Sequence, residues 1–244
     1  MKGKDSLFEN TITEPCDFVF DKRVVGVFPD MINRSIPGYG TIVPMIGMLA
    51  RRYARPNSHL YDLGCSLGAV TLAMRNAVAV EGARIVAVDN APAMVAGLRK
   101  TLDLHPDPGL PPVELRQEDI RDTLIYNASV VVLNFTLQFV DPVHRAGLMQ
   151  RIAGGLEPGG ILVLSEKVHF EDSDEQALQT EWHHDFKRAQ GYSELEIARK
   201  RDALENVMIP ESLEQHHERL FNAGFRSVHT WFQGFNFMSL LAFR

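Results

Sequence analysis

The sequence has 244 residues with ordinary proportions of hydrophobic (45%) and charged (23%) side chains, enough for one globular domain with a full core. Its formal net charge of −6 argues against a general nucleic-acid surface, which is normally basic. Two cysteines form no disulfide framework, and no apolar run is long enough for a bilayer or a signal peptide. These features predict a cytoplasmic protein that binds no membrane.

Residues 1–58 precede the first predicted strand and form an N-terminal arm. Within the arm, residues 34–40 predict an irregular loop, and residues 44–53 predict a helix with proline in its first turn. The apolar residues of the arm have no sheet to join, so we expect the arm to lie over a ligand site as a lid. Tyr39 follows a Pro-Gly turn, where it either contacts a ligand or packs beneath the arm.

The strongest local signal is a strand, a glycine loop and a helix start in that order. An apolar run at 59–63 turns into a loop, GCSLG, which begins at Gly64 and precedes a helix-forming segment at 69–77. This order is typical of nucleotide-binding elements, because the helix start offers free N–H groups to a ligand. A second strand ends on Asp89, about 20 residues beyond the loop, where dinucleotide folds place a ribose-binding acid.

The loop spacing indicates which nucleoside is bound. Its G-x-S-x-G pattern differs from the G-x-G-x-x-G of dinucleotide-binding proteins, which disfavours an oxidoreductase. Asp62 precedes the first glycine by two residues, as in the D-x-G-x-(G/S)-x-G loop of methyltransferases that bind S-adenosylmethionine (SAM). SAM is cationic and has no phosphate, so an acidic loop suits it. The alternative, a strand–turn–helix without a ligand, leaves Asp62 and Asp89 at two strand ends unexplained.

Beyond the loop, strands and helices alternate in the pattern of a buried parallel sheet. We predict strands at 59–63, 84–89, 112–117, 129–134 and 160–165, and helices at about 68–80, 92–105 and 142–156. A turn at 157–160 separates the last helix from the fifth strand. Near the C-terminus, the pattern predicts a helix at 211–223 and an apolar hairpin joined through Gln233-Gly234, which would complete a seven-stranded sheet in a single domain, residues 1–244.

Ligands of such sheets bind beyond the carboxyl ends of the strands. Asp119, past the third strand, is a candidate acceptor for the exocyclic amine of adenine, and Ile120 offers the ring an apolar face. Any one of the residues at these ends could instead serve as a cap or turn, but their joint placement favours an adenosine pocket. The other candidates at the strand ends are Gly64, Cys65, Ser66, Asp89, Asn90, Asn134, Phe135, Ser165, Glu166 and Lys167.

Residues 171–207 form a polar, helix-prone insertion punctuated by Gly191, which we expect to lie over the active site. The insertion contains a short basic run, Arg199-Lys200-Arg201, which on sequence grounds alone is best interpreted as a solvated helix face. An arginine that pointed into the pocket would instead recognise a carboxylate, since its planar fork matches that anion. The adjacent histidine pairs at 183–184 and 216–217 point to different sides of a helix, so no metal site is predicted.

Several longer segments together resemble the carboxy-S-adenosyl-L-methionine synthases, over nearly the whole chain from about Asp17. They are FDKRVVGVFPDMINRSIPGY, YDLGCSLGAVTL, AVDNAPAM, ASVVVLNFTLQFV, LVLSEK, HHDFKRAQGYSELEIARKR and LENVMIPES. The resemblance implies a Rossmann-like class I SAM-methyltransferase fold (α/β) and an enzyme that converts SAM and prephenate into carboxy-SAM and phenylpyruvate. It also implies a homodimer, and a product that a separate enzyme uses to carboxymethylate a wobble uridine in transfer RNA.

Matching the family's motifs residue by residue implies a set of ligand contacts. By this match Arg201 would be the cation that the carboxylate of carboxy-SAM requires. No catalytic base is assigned, although Glu166 and His169 are candidates. The implied SAM or carboxy-SAM contacts are Tyr39, Gly64, Cys65, Ser66, Asp89, Asn90, Asp119, Ile120, Asn134 and Arg201.

Two other functions remain open at the level of sequence. An ordinary SAM-dependent methyltransferase acting on RNA or a small molecule would need an acceptor nucleophile in line with the methyl group, and Arg201 would then be incidental. An inactive SAM-binding or RNA-binding scaffold is disfavoured, because the ligand motifs are complete and the net charge is acidic.

Overall fold

The computed structural model describes Asp5, residues 21–204 and residues 207–244. The described residues contain a seven-stranded sheet in the order β3-β2-β1-β4-β5-β7-β6. Neighbouring strands run parallel from β3 to β5, whereas β7 is antiparallel to both β5 and β6. The strands are β1 (His59–Leu63), β2 (Arg84–Asp89), β3 (Val113–Gln117), β4 (Ala128–Asn134), β5 (Leu156–Lys167), β6 (Ser227–Gly234) and β7 (Phe237–Phe243).

Eight α-helices are present in the described part of the chain, and none of them is long and apolar enough to cross a membrane. They are α1 (Lys22–Ser35), α2 (Tyr39–Tyr53), α3 (Ala69–Ala77), α4 (Pro92–Leu104), α5 (Pro142–Gly155), α6 (Ser173–Ala189), α7 (Glu194–Leu204) and α8 (Leu213–Asn222). The strand order reverses between β1 and β4, which opens a crevice beyond their carboxyl ends.

The sheet is covered on both faces, as its apolar strands predicted. All five residues of β1 are buried, and each face packs against a separate apolar cluster. Leu148 of α5 and Leu220 of α8 belong to one cluster, and Ile42 and Ile46 of α2 belong to the other. Each such side chain contributes roughly 1.5–3 kcal/mol when it is fully buried. The predicted sheet, including the antiparallel C-terminal hairpin, is confirmed.

The predicted loop at residues 34–40 is wrong. Helix α1 continues through Pro29 to Ser35, and α2 starts at Tyr39, so the connecting turn spans only residues 36–38. Gly38 makes this short turn possible, since its φ of +77° lies in the left-handed region that glycine adopts at little cost. Consequently Pro44 lies inside α2 rather than in its first turn. Cys16 and residues 17–20 of the resemblance lie outside the described residues.

Two further boundaries also differ from the prediction. Residues 157–160 belong to the start of β5, where the pairing with β4 is irregular and Gly159 has a φ of +78°. The hairpin turns at Phe235 and Asn236, because Gly234 still pairs with Phe237 across the two strands. Both errors arise because local glycines signalled a turn, whereas cross-strand hydrogen bonding extended the strands.

The arm and the insertion are joined by buried polar contacts. Arg34 of α1 donates from Nε to the Gln190 carbonyl at 2.8 Å and lies 3.9 Å from the centre of the Tyr192 ring. Lys200 of α7 donates from Nζ to Ser35 Oγ at 2.7 Å. The described part of the predicted insertion contains α6 and α7, and α6 packs against α1 of the arm.

Candidate functional site

The loop after β1 lies directly against the end of β2. The backbone N–H groups of Gly64 and Cys65 both donate to the Val88 carbonyl, at 2.8 and 2.9 Å. Gly64 has a φ of +84°, and a Cβ there would lie 2.3 Å from Cγ2 of Thr136. A side chain is therefore excluded twice at this position, by backbone conformation and by space. The loop is held rigidly at the crevice where the strand order reverses.

Asp89 connects this loop to the next helix. Its Oδ2 accepts a hydrogen bond from the Ser66 N–H, and its Oδ1 accepts one from the Ala91 N–H, both at 2.8 Å. Ser66 has a φ of +49°, an uncommon conformation for a non-glycine residue. Burial raises the pKa of Asp89, and the two N–H groups oppose that rise. The carboxylate thus organises two segments and still has lone pairs for a ribose.

A second acid lies deeper in the crevice. Asp62 is 1% exposed and accepts a hydrogen bond from Thr71 Oγ1 at 2.5 Å. Burial raises the pKa of Asp62 to about 7, against the Thr71 hydrogen bonds, and the charge of Asp89 adds to the rise. Tyr39 is also buried, and the pKa of its hydroxyl is raised by burial and then by the charge of Asp62. The structure therefore brings Tyr39 to the loop, although the arm lies far from it in sequence.

The end of β4 carries a buried polar atom that has no partner among the described residues. Oδ1 of Asn134 is buried and accepts no hydrogen bond from the described residues. The next residue, Phe135, has a φ of +59°, and its ring lies 6.3 Å from the ring of Tyr39. An unpaired buried amide oxygen costs roughly 1–3 kcal/mol unless a donor reaches it. A bound nucleoside is a natural source of that donor, so the residues present fit SAM at this site.

Two of the predicted site residues pack into apolar clusters, and a third is exposed. Cys65 is buried and packs beside Ala87 and Leu98, so only its backbone is available to a ligand. Ile120 belongs to one of the two large apolar clusters, whereas Asn90 is exposed. Their positions next to the loop and to the ends of β2 and β3 are as predicted.

The remaining two predicted residues are paired with neighbours in sequence. Asp119 forms a two-pronged ion pair with Arg121, with hydrogen bonds of 3.0 and 2.7 Å from Nε and Nη2. Arg201 lies on the exposed side of α7, and its guanidinium contacts Asp202 at 3.0 Å. The structure therefore does not bring Arg201 into contact with the residues of the loop. Asp119 must share its carboxylate between Arg121 and any adenine amine.

Helix α1 lies over the loop after β1, residues 64–68, which we call the ligand loop. Val24 and Met31 form a small apolar cluster with Met94 of α4, and Leu67 of the loop and Ala91 pack against it. The arm thus contacts both the loop and the first turn of α4, next to Asp89. The role of the arm as a lid over a ligand remains a prediction.

Sequence reasoning missed the residues that support the site. Thr71 donates to Asp62, and Thr136 fills the space beside Gly64, but neither has a local signal that distinguishes it from other threonines. Glu166, a weak candidate base, lies on the opposite sheet face from Ser165. Both of its oxygens accept backbone N–H groups, from Leu137 and Gln138 at 2.9 Å, so it positions the segment after β4.

The sheet order, the acidic glycine loop and the crevice define a protein with the class I SAM-methyltransferase fold. Residues 60–160 match the family model described as a methyltransferase domain. A solved O-methyltransferase family protein from Burkholderia thailandensis superposes with a TM-score of 0.66 at 19% identity, over 92% of this chain and 60% of that one. The structure of human N-acetylserotonin methyltransferase in complex with SAM superposes with a TM-score of 0.62 at 16% identity, over 91% of this chain and 55% of that one.

Curated relatives narrow this class to one family. A protein of Trichlorobacter lovleyi named carboxy-S-adenosyl-L-methionine synthase is 57% identical, over 100% of this chain and 99% of its own length. The protein of the same name from Yersinia enterocolitica is 54% identical, over 99% of this chain and 90% of its own length. The chain belongs to the carboxy-S-adenosyl-L-methionine synthase family of enzymes.

The raised pKa of Asp62 predicts a pH-dependent affinity for SAM. A cationic ligand favours the ionised carboxylate, so below pH 7 binding must also remove a proton from Asp62, at about 1.4 kcal/mol per pH unit. We expect the affinity for SAM to rise about tenfold between pH 6 and pH 8 as Asp62 ionises, measured by titration calorimetry. In the free protein the same raised pKa lowers stability as the pH rises from 3.8 toward 7.

The variant Asp62→Asn is the control for this pH dependence. Thr71 is able to donate to an asparagine oxygen as well, so the fold should persist. Any remaining pH dependence in this variant belongs to the ionisation of SAM itself or of other groups at the site, such as Asp89. Identical profiles for the two proteins would contradict the assignment of the effect to Asp62.

Proposed function

We propose that the chain converts SAM and prephenate into carboxy-SAM and phenylpyruvate. The observation that carries this proposal is the 57% identity, over the whole chain, to a protein named carboxy-S-adenosyl-L-methionine synthase. That name states the product, and prephenate is the second substrate implied by the resemblance of the sequence motifs. SAM is cationic and has no phosphate, so the acidic loop and the Asn134 oxygen, which has no donor among the described residues, support SAM as the first substrate.

The proposed reaction balances without an external oxidant. Carbon dioxide and hydroxide leave the ring of prephenate, which becomes the aromatic ring of phenylpyruvate. A proton leaves the methyl group of SAM and joins the hydroxide as water, and the new carbon–carbon bond joins that methyl carbon to carbon dioxide. Such chemistry requires a closed site, because bulk water would return the proton. The contacts of α1 with the ligand loop and with α6 support such closure.

Each predicted SAM contact has a defined role in this proposal. Asp89 accepts the ribose hydroxyls, Asp119 accepts the exocyclic amine of adenine, and Ile120 packs against the ring. Asn134 uses its unpaired oxygen, and Asp62 offers a negative charge to the cationic part of SAM. The backbone of the loop and two flanking residues complete the set, namely Gly64, Cys65, Ser66, Asn90 and Tyr39.

Arg201 is the proposed partner of the new carboxylate. Its side chain is 63% exposed and pairs with Asp202, which is 57% exposed. Such exposed pairs contribute only about 0–1 kcal/mol, so exchanging Asp202 for a product carboxylate costs little. The charge of Arg201 also helps to lower the pKa of His184 and of Lys187, whose shifts are due first to burial, so the guanidinium lies near the inner side of α6.

We expect Arg201→Leu to weaken carboxy-SAM binding at least tenfold, because a charge-assisted hydrogen bond contributes roughly 1.5–3 kcal/mol. SAM lacks the carboxylate, so its affinity should stay within twofold of the original value. Titration calorimetry with both ligands measures the difference, and Arg99→Leu on the exposed side of α4 is the matched control. An equal loss of affinity for SAM and carboxy-SAM would contradict this role.

The cellular role and assembly follow from the resemblance. The product would supply a separate carboxymethyltransferase that modifies a wobble uridine of transfer RNA, in the cytoplasm, and the acidic net charge of −6 agrees with a chain that binds no nucleic acid itself. A homodimer is supported by exposed apolar side chains at one place, since Leu178 and Trp182 of α6 are 48% and 43% exposed and Phe235 lies beside Trp182. Sedimentation equilibrium tests the dimer, and a monomer at micromolar concentration would overturn it.

A conventional SAM-dependent methyltransferase, acting on RNA or a small molecule, is the alternative, favoured by the structural similarity to O-methyltransferases. Mass spectrometry of the protein incubated with SAM and prephenate separates the two functions. A nucleoside heavier than SAM by one carbon dioxide, together with phenylpyruvate, supports the synthase. Unchanged SAM with intact prephenate would overturn it in favour of the methyltransferase.

A further inference from the structure

Helix α6 buries a stripe of three polar side chains, while two of its large apolar side chains are exposed. Gln179, His183 and Lys187 follow at intervals of four residues and are 8%, 4% and 7% exposed. Leu178 and Trp182, by contrast, are 48% and 43% exposed. A buried stripe made of polar side chains departs from the usual pattern, in which a surface helix buries its apolar face. We call these three residues the polar stripe; a buried surface of this kind requires polar partners beneath it.

The described residues supply only part of those partners. His183 donates from Nε2 to the Ser35 carbonyl at 2.8 Å, and burial lowers its pKa to about 2, so the ring is neutral. Oε1 of Gln179 has no donor among the described residues. Within the same described ranges, Lys187 has neither an acid nor another acceptor. Burial, followed by the charges of Lys200, Lys167 and Arg201, lowers the pKa of Lys187 to about 7.

A second lysine reaches this region from the sheet. Lys167 is the last residue of β5, and it follows by two residues Ser165, the partner of Asn134 in the sheet. Because side chains alternate, Lys167 shares a sheet face with Asn134 and lies about 7 Å farther along the strand direction. Burial lowers the pKa of Lys167, and the described residues provide it with no ion pair. We call Lys167 and Lys187 the lysine pair.

A row of rings connects the lysine pair to the SAM site. The ring of His183 lies 4.9 Å from Phe237, the residue that pairs with Lys167 across the sheet. Phe237 lies 5.9 Å from Phe135, and Phe135 lies 6.3 Å from Tyr39. The lysine pair and Tyr39 therefore lie on one continuous side of the crevice, with α6 above it.

We propose that the lysine pair binds the pyruvyl carboxylate of the second substrate, the carboxylate that survives the reaction. This inference rests on the proposed function, in which the ring carboxylate leaves as carbon dioxide. A tight ion pair to the leaving carboxylate would stabilise the ground state and oppose its loss, whereas a pair to the retained carboxylate positions the substrate at no such cost. Lys187 is buried and Lys167 is half-buried, and neither has an acid partner among the described residues. A cation in such a place is costly, and a bound anion offsets that cost.

The test compares Lys167→Met, Lys187→Met and the exposed control Lys100→Met of α4. We expect KM for prephenate to rise at least tenfold in each of the first two variants, with SAM affinity within twofold of the original. Lys187→Met should also raise Tm by about 2–4 °C in the absence of substrate, because it removes an unpaired buried charge. A lysine with a purely structural role would lower Tm instead. Lys187→Arg should retain most of the substrate binding.

An unchanged KM in both lysine variants would overturn the inference while leaving the synthase activity intact. If the original protein forms no carboxy-SAM, the proposed function fails, and binding of phenylpyruvate in the presence of SAM still tests the site. Phenylpyruvate retains the same carboxylate. If the lysine variants bind phenylpyruvate more weakly than the original protein in calorimetry, the anion site is supported even where the proposed function fails. Equal phenylpyruvate binding in all variants would reject it.

Discussion

Replacing Asp89 by alanine should weaken SAM binding by about 100- to 1,000-fold, or about 2.7–4.1 kcal/mol. In the proposed complex Asp89 accepts the ribose hydroxyls, and each hydrogen bond to a charged group is worth roughly 1.5–3 kcal/mol. The same carboxylate accepts the N–H groups of Ser66 and Ala91, so its removal also loosens the loop that surrounds the nucleoside. Titration calorimetry with SAM measures the loss.

Two companion variants identify the origin of this effect. Asp89→Asn keeps an acceptor for one of the two N–H groups, so its affinity should lie between those of the original protein and the alanine variant. Asp103→Ala removes an exposed acid at the far end of α4 and should bind SAM normally. Near-normal SAM affinity in Asp89→Ala would remove this residue from the proposed site.

Replacing Arg145 by methionine should lower the free energy of unfolding by about 3–5 kcal/mol, the cost of breaking a buried ion pair by removing one partner. Arg145 is fully buried and pairs with Glu211, which also binds Arg219. Its remaining N–H groups donate to the carbonyls of residues 138, 140 and 209, which methionine would leave without these donors. Urea denaturation measures the change.

The dependence of the free energy of unfolding on pH, at acid pH, provides a second measurement at this ion pair. Burial alone would raise the pKa of Glu211, but the hydrogen bond and charge of Arg145, with the charge of Arg219, lower it. A lowered pKa contributes stability above the unfolded value of 4.5, and that stability is lost as the pH falls through the folded value. Arg145→Met should therefore flatten the stability profile below pH 5. Arg151→Met, on the exposed side of α5, which also contains Arg145, should leave the stability profile unchanged.

Most of the sheet was predictable because its signal is local. The strands predicted at 59–63 and 84–89 match β1 and β2, and the fifth strand differs mainly at its start. A buried parallel strand is a short apolar run between turn residues, and neither feature depends on distant contacts. The arm was harder, since Pro29, Pro44 and Gly38 signal breaks that two packed helices accommodate.

Some residues of the candidate site were likewise predictable from local sequence, and others were not. Asp62, Gly64 and Asp89 stand out in the sequence because their spacing repeats a known loop, and the structure places all three at one crevice. The functional assignment of the individual residues remains a prediction. Thr71 and Thr136 were not predictable, because a threonine that supports a loop has the same local pattern as one that does not.

The sequence by itself determined the SAM-type loop and the alternation of strands and helices from β1 to β5, since both depend on residue types at short spacing. It also determined the family, through motifs spread over nearly the whole chain. Only the tertiary structure decided which polar groups are buried and without partners. Lys187 looks like any lysine of a polar helix, and Arg145 like any arginine of α5, until distant elements close over them. Burial and charge neutralisation depend on contacts between segments far apart in the chain, and for that reason local patterns do not reveal them.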